Sequence, residues 1–341
     1  MKKLPIGISN FSEIIHEDYY YVDKTQYVHD LADAGKYYFL SRPRRFGKSL
    51  FVDTLRCAFE GRKELFHGLY LERDWDFDKT YPVILISFGR GHFYDLQNLN
   101  NNIEEILTLN AKRLGLELHG ITINGRFKNL IIDAAEKFGG RTVILIDEYD
   151  KPILDNLEDI SMAGEMRDGL KNLYSVIKDS DRYIKFCFIT GVSKFSKVSI
   201  FSDLNNLNDI SLDFRMGAVC GYTQNELEHT FADRLSDVDL NELAVWYNGY
   251  NFLGSEAVYN PFDVLLFFKE KQFGSYWFES ATPSFLVKLL IKNRIYLPDL
   301  EHIEIDQNML SSFELDNLLP EAVLFQTGYL TIKNKEEVST G

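Results

Sequence analysis

Tyr37-Tyr38-Phe39-Leu40-Ser41-Arg42-Pro43-Arg44-Arg45-Phe46-Gly47-Lys48-Ser49-Leu50 is an apolar run that enters a tight turn ending in Gly-Lys-Ser, with a helical pattern directly behind it. Strand, loop and helix in that order are the setting a phosphate-binding loop requires. Gly47 lets the backbone approach phosphates closely, Lys48 reaches the β- and γ-phosphates as a flexible point charge, and the Ser49 hydroxyl can coordinate magnesium. The helix N-terminus adds free N–H groups and a positive dipole end. Arg44, Arg45, Phe46, Gly47, Lys48, Ser49 and Leu50 are therefore the candidate nucleotide-binding segment. The general pattern carries its first glycine five residues before Gly47, where this chain has Arg42. Two readings follow: Arg44 and Arg45 make phosphate contacts themselves, or the Gly-Lys-Ser is accidental.

A second buried strand supplies the acids. Residues 142–147 place four consecutive aliphatics, too continuous for a half-exposed strand, before the adjacent carboxylates Asp147 and Glu148. In the phosphate-loop mechanism the first carboxylate holds the magnesium shell and the second positions or deprotonates the attacking water. Asp147 and Glu148 fit those roles, and the plainer alternative is a strand whose acidic end meets solvent. Asp150 reads as a helix-capping or solvent-facing acid.

The segments YVDKT (21–25), RPRRFGKSL (42–50), VILIDEYDKP (143–152), FITGVSKFS (188–196) and VCGYTQNEL (219–227) together resemble the AAA-ATPase-like family of bacterial proteins. WYNGYNF (246–252), YNPFDVL (259–265) and LFQTGYLT (324–331) are similar to its C-terminal markers, so the resemblance runs nearly the whole chain. It implies an α/β P-loop NTPase fold with a mostly parallel sheet and an inserted strand between the nucleotide motifs. An arginine-rich loop is usual in that family. ATP as ligand is likewise implied by the family, and no Asn-Lys-x-Asp run that would read guanine occurs. Such proteins often continue into a nuclease-like domain, which has no counterpart before Gly341; the expectation is a piece of a longer protein or a member lacking that domain.

Bulk properties narrow the class. The 341 residues, 45% hydrophobic, suffice for one large or two moderate domains, and the net charge of −14 disfavours general nucleic-acid binding, leaving at most an indirect role. Cys57, Cys187 and Cys220 have no metal-ligand spacing and read as buried free thiols in a reducing cytoplasm. The N-terminus lacks the apolar core of a signal peptide, and no apolar run approaches membrane-spanning length. A cytoplasmic protein is expected, with a nucleotide and a protein or second copy as partners.

In chain order, residues 1–35 read as an N-terminal cap, or as a segment lying over the base or sugar with Tyr19, Tyr20 or Tyr21 available for stacking. Helical spacing follows the loop through Phe59, with Gly61 as a left-handed cap. Residues 82–88 form another buried strand, and the loop after it carries His92, read as solvated. Two helices lead to the Asp147 strand, the alternation that calls for a parallel sheet. Residues 184–190 give a further strand, at whose end Thr190 or Ser193 is a candidate γ-phosphate sensor, with simple strand-end hydrogen bonding as the alternative. Residues 208–212 complete the sheet, and Arg215 is a candidate trans-acting arginine or a plain surface one. The ATPase-like domain is placed at 1–220 and a helical, winged-helix-like lid at 221–341. In the latter, Thr223 with Glu226 forms a capping box, Asn260-Pro261 and Thr282-Pro283 start helices, and residues 324–332 turn from helix to strand.

The leading expectation is a magnesium-dependent ATPase with Lys48 and Glu148 as its catalytic pair and Ser49 and Asp147 as metal ligands. The competing one is an ATP-gated interaction module with little turnover.

Overall fold

A computed structural model describes residues 1–194, 200, 201, 204, 206–281, 284–310, 315 and 318–336. Five strands alternate with helices: α1 (Phe11–His16), α2 (Thr25–Ala34), β1 (Tyr37–Ser41), α3 (Lys48–Phe59), α4 (Leu71–Asp74), β2 (Val83–Ser87), α5 (Leu96–Leu114), α6 (Ile123–Lys137), β3 (Thr142–Asp147), α7 (Lys151–Leu154), α8 (Ile160–Asp179), β4 (Ile184–Gly191) and β5 (Asn208–Asp209). The sheet order is β2-β3-β4-β1-β5 with every pairing parallel. β4 thus separates the loop strand β1 from the acidic strand β3. Register brings Leu40 beside Thr190, and Ser87 beside Asp147.

The continuous apolar runs have a direct cause. On β3, Val143 and Leu145 pack toward Phe51, Leu55 and Phe59 of α3, whereas Ile144 and Ile146 pack toward Leu107, Ile131 and Leu170 of α5, α6 and α8. Side chains alternate across a strand, so a sheet covered on both faces needs apolar residues at both parities. All six residues of β3 are buried.

The helices after residue 220 include α9 (Gln224–Thr230), α10 (Leu240–Tyr247) and α11 (Pro261–Glu270). The Thr223–Glu226 capping box is present, and the Asn260 side chain accepts from Phe262 N and Asp263 N with Pro261 at the first helical position. Thr282-Pro283 lies outside the described residues. Tyr20 and Val22 of the N-terminal segment pack into the same cluster as Leu227, Phe231 and Phe268. The turn from helix to strand expected over residues 324–332 gives the helix but no strand. Gly328 (φ 93°) ends the helix Pro320–Thr327, and the Thr331 hydroxyl, donating to Gly249 O and accepting from Asn251 N, ties the chain down in place of a backbone ladder.

Candidate functional site

α3 starts directly on Lys48, preceded by Gly47 at φ 95°, a conformation that suits glycine. Lys48 is buried, and its Nζ donates to Arg42 O (2.9 Å) and Pro43 O (2.8 Å), so its ammonium is held under its own loop. Burial pulls its pKa down, against the pull of Asp147 and Glu148.

Arg42 explains the absent first glycine. It is 1% exposed, donates to Ser41 O, Ser211 O, Met216 O and Gly217 O, and lies 3.9 Å over the Phe252 ring. Among the described residues no carboxylate pairs with the guanidinium, although Asp209 lies near enough to favour its charge. Burial lowers its pKa from 12.5 to about 10, so it stays charged at neutral pH and gathers the carbonyls of the 211–217 segment under the loop. Arg44 and Arg45 are exposed at the cavity, Arg45 with φ 65° and its guanidinium 4.1 Å from the Phe262 ring centroid. The Phe46 ring points the other way. It is buried 4.7 Å from Tyr250 and 5.9 Å from Phe252, so it anchors the loop and leaves only its backbone for a ligand. Ser49 and Leu50 are half-buried and line the cavity.

Beside the start of α3, Asp147 ends β3 with 6% exposure. Burial raises its pKa and the Ser49 hydroxyl beside it opposes the rise, while its Oδ1 is buried without a hydrogen-bond partner. A buried carboxylate oxygen with no partner next to a serine hydroxyl fits a hard cation that takes oxygen ligands. No group of three or more His, Cys, Asp or Glu that could hold a metal exists among the described residues. The protein would therefore contribute these two oxygens, with phosphate and water completing the shell, the usual arrangement for magnesium. Glu148 is half-buried at φ 52° and lines the cavity. A Cβ on Gly89 would lie 3.3 Å from Glu148 Oε2, so the hydrogen at position 89 leaves room for this carboxylate.

Asp150 is neither solvent-facing nor a side-chain cap. It is 1% exposed, and its Oδ2 accepts from Val192 N (3.0 Å) and Ser193 N (2.6 Å), while α7 has no side-chain capping bond. Burial raises its pKa from 3.8 to about 6, opposed by the Ser193 amide, its own backbone amide and Lys48. The Tyr149 hydroxyl donates to Ser193 O (3.0 Å), so adjacent residues after β3 hold the turn after β4. A Cβ on Gly191 would sit 2.4 Å from Asp150 Oδ1, which makes glycine necessary there.

The two sensor candidates differ. Thr190 donates its hydroxyl to Leu40 O (2.8 Å), inside the β1–β4 pairing, whereas Ser193 lies in the clamped turn with a buried Oγ that has no hydrogen-bond partner. Their neighbour Val192 lines the cavity. Lys194 pairs with Asp209. Arg215 sits on the surface, paired to Asp213 (2.7 Å), and does not line the cavity.

The cavity, about 670 Å³, extends well past the phosphate loop. Its far wall includes Gly7, Ile8 and Tyr21 from the N-terminal segment and Phe262 and Leu265 from α11, and His92 lines it too. Lys24 closes this side: buried, it donates to both carboxylate oxygens of Glu226 (2.7 and 2.6 Å) and to Ala218 O. Glu226 also completes the capping box, so one carboxylate ties α9 to the N-terminal segment. Sequence reasoning passed over Lys24, Asp150 and Phe262 as site-building residues. Each lies in a segment with a recognisable pattern, YVDKT, VILIDEYDKP or YNPFDVL, but the partner of each comes from elsewhere in the chain.

A family model described as "Predicted AAA-ATPase" matches residues 5–201. The chain is also similar to the "Uncharacterized protein in vnfD 5'region" of Azotobacter chroococcum mcd 1, 52% identical over 338 residues, 99% of this chain and 65% of that protein. The chain thus spans just under two thirds of that relative's length. No solved structure matches it.

Proposed function

The chain belongs to the predicted AAA-ATPase family, and on that premise we propose that the cavity binds ATP with magnesium and that the protein hydrolyses it. The observation that carries this reading is the buried, unpartnered Asp147 Oδ1 beside Ser49, the residue after Lys48, whose ammonium also feels the Asp147 charge. Lys48, the loop amides and the side chains of Arg44 and Arg45 bind the phosphates. Ser49 and Asp147 hold the cation. A divalent cation there neutralises the phosphate charge that develops in transfer. Glu148 orients the attacking water and accepts its proton as the new bond to the terminal phosphorus forms and the bond from that phosphorus to the bridging oxygen breaks, releasing the nucleoside diphosphate. Its left-handed backbone is the strained geometry expected where a side chain must be aimed. Ser193, in the turn held by Asp150, reports the terminal phosphate. Thr190 has its hydroxyl committed to β1 and supports the turn from the sheet. The position of β4 between β1 and β3 supports the reading as a P-loop ATPase with an additional central strand.

The N-terminal segment and α11 enclose the base and sugar. Arg215 faces solvent, where a neighbouring subunit or protein partner would meet it. A cytoplasmic location suits this chemistry, and no described helix is long and apolar enough to cross a membrane.

A second reading is an ATP-gated interaction module with little turnover, acting with a nuclease-like partner domain. It is favoured by the direct hold of the helical region on the loop, with Trp277 Nε1 donating to Arg44 O (2.9 Å). ATP binding and hydrolysis, with and without magnesium, on the parent, Lys48→Ala and Glu148→Gln proteins separate the two. Turnover in the parent, lost in both variants, supports the ATPase. Magnesium-dependent binding without turnover supports the module. No binding at millimolar ATP removes both.

A further inference from the structure

The phosphate loop is gripped from the helical region at consecutive residues. Pro43 packs against Gly328, where a Cβ would come within 2.8 Å of the proline ring. Arg44 O accepts from the Trp277 indole N–H, and the Trp277 backbone N–H donates to the buried carboxylate of Asp263 (2.7 Å) on α11. Arg45 lays its guanidinium on the ring of Phe262, the residue before Asp263. Both arginines that face the cavity are thus held from the helical region, Arg44 by its backbone and Arg45 by its side chain.

We propose that Phe262 is a positioning residue that parks Arg45, and that a bound polyphosphate draws the guanidinium off the ring, so that α11 and Trp277 register occupancy of the loop. The inference rests on the nucleotide reading above. A ring face attracts an exposed guanidinium weakly, whereas a phosphate oxygen offers charge-assisted and bidentate hydrogen bonds. The two contacts draw on one side chain, so they compete. Binding free energies are reciprocal: whatever the ligand does to the arginine–ring contact, that contact does to ligand affinity. The helical region therefore lowers affinity for polyphosphate by the strength of its hold, and a partner that pulls α11 away raises it.

Inorganic tripolyphosphate is the deciding probe, because it carries no base to stack on Phe262. The Phe262→Leu protein should bind it about two- to fivefold more tightly than the parent, the strength of an exposed cation–π contact, and the gain should vanish in an Arg45→Ala background. Equal or weaker binding, or a gain that persists without Arg45, overturns the inference while leaving ATP binding by the parent intact. A parent that binds neither ATP nor tripolyphosphate overturns the nucleotide reading and the inference together. Labelling the three tryptophans with 5-fluorotryptophan gives a second readout, Trp277→Phe assigning the resonance. The Trp277 signal should move on addition of tripolyphosphate in the parent and stay still in Arg45→Ala; a signal unmoved in the parent refutes the coupling.

Discussion

Replacing Asp150 by asparagine should stabilise the protein at neutral pH, although the side chain accepts two backbone hydrogen bonds. The carboxyl is raised from 3.8 to about 6, first by burial, with the Ser193 amide, its own backbone amide and Lys48 only partly offsetting it and Glu148 adding repulsion. The folded state therefore binds this proton more tightly than the unfolded chain does. Stability falls as pH rises from 4 to 6, and above pH 6 the ionised group costs the fold about 3 kcal/mol, at roughly 1.4 kcal/mol per pH unit. Asparagine keeps a carbonyl oxygen for the two amides and carries no charge to desolvate. Urea unfolding of both proteins from pH 4 to 8, at low concentration because the isoelectric point is near 5.0, should give a stability difference in favour of Asp150→Asn. That difference should be largest above pH 6, approaching about 3 kcal/mol, and should shrink toward pH 4. A pH-independent difference, or a variant less stable at pH 8, refutes the account and would mean that the charge strengthens those hydrogen bonds by more than burial weakens it. Asp150→Ala also removes the charge but leaves the Val192 and Ser193 amides without an acceptor, so it should be less stable than Asp150→Asn at every pH, separating loss of the clamp from loss of the charge.

Restoring glycine at position 42 brings the loop closer to the general pattern and should still harm the fold: Arg42→Gly strands the buried carbonyls of Ser211 and Met216, at a cost of about 3 kcal/mol or more, read as a lowered melting temperature. Lys24→Met should cost about 3–5 kcal/mol by leaving Glu226 without its cation, and adding Glu226→Gln should recover part of it, measured as a coupling energy in a double-mutant cycle. The thiols of Cys57, Cys187 and Cys220 are all buried, and should stay unreactive to an aromatic disulfide reagent until the protein is unfolded.

The strands and the two ends of the candidate site are legible in the chain as patterns because their signals are local. A sheet covered on both faces demands apolar residues at both parities, which is what residues 142–147 display, and a turn at φ 95° followed at once by a helix leaves its mark as Gly-Lys-Ser. Caps act over three residues, so Thr223 with Glu226 and Asn260 with Pro261 could be read directly. The strand expected at the end of residues 324–332 does not form, because local sequence says nothing about whether a partner strand lies alongside; here the Thr331 side chain, not a backbone ladder, bonds the backbone of residues 249 and 251.

Tertiary structure alone decided what surrounds those ends. Asp150 looked like any acid after a strand until the turn at 192–193 closed over it, and Arg42 looked like a defect in a loop until the carbonyls of 211–217 arrived beneath it. Lys24 and Glu226, or Arg45 and Phe262, are about two hundred residues apart in sequence and in contact in space. Chain pattern encodes which face of an element is apolar, but the choice of partner for a polar side chain is made only when separate elements pack, and burial then turns an ordinary acid or base into one whose charge has consequences.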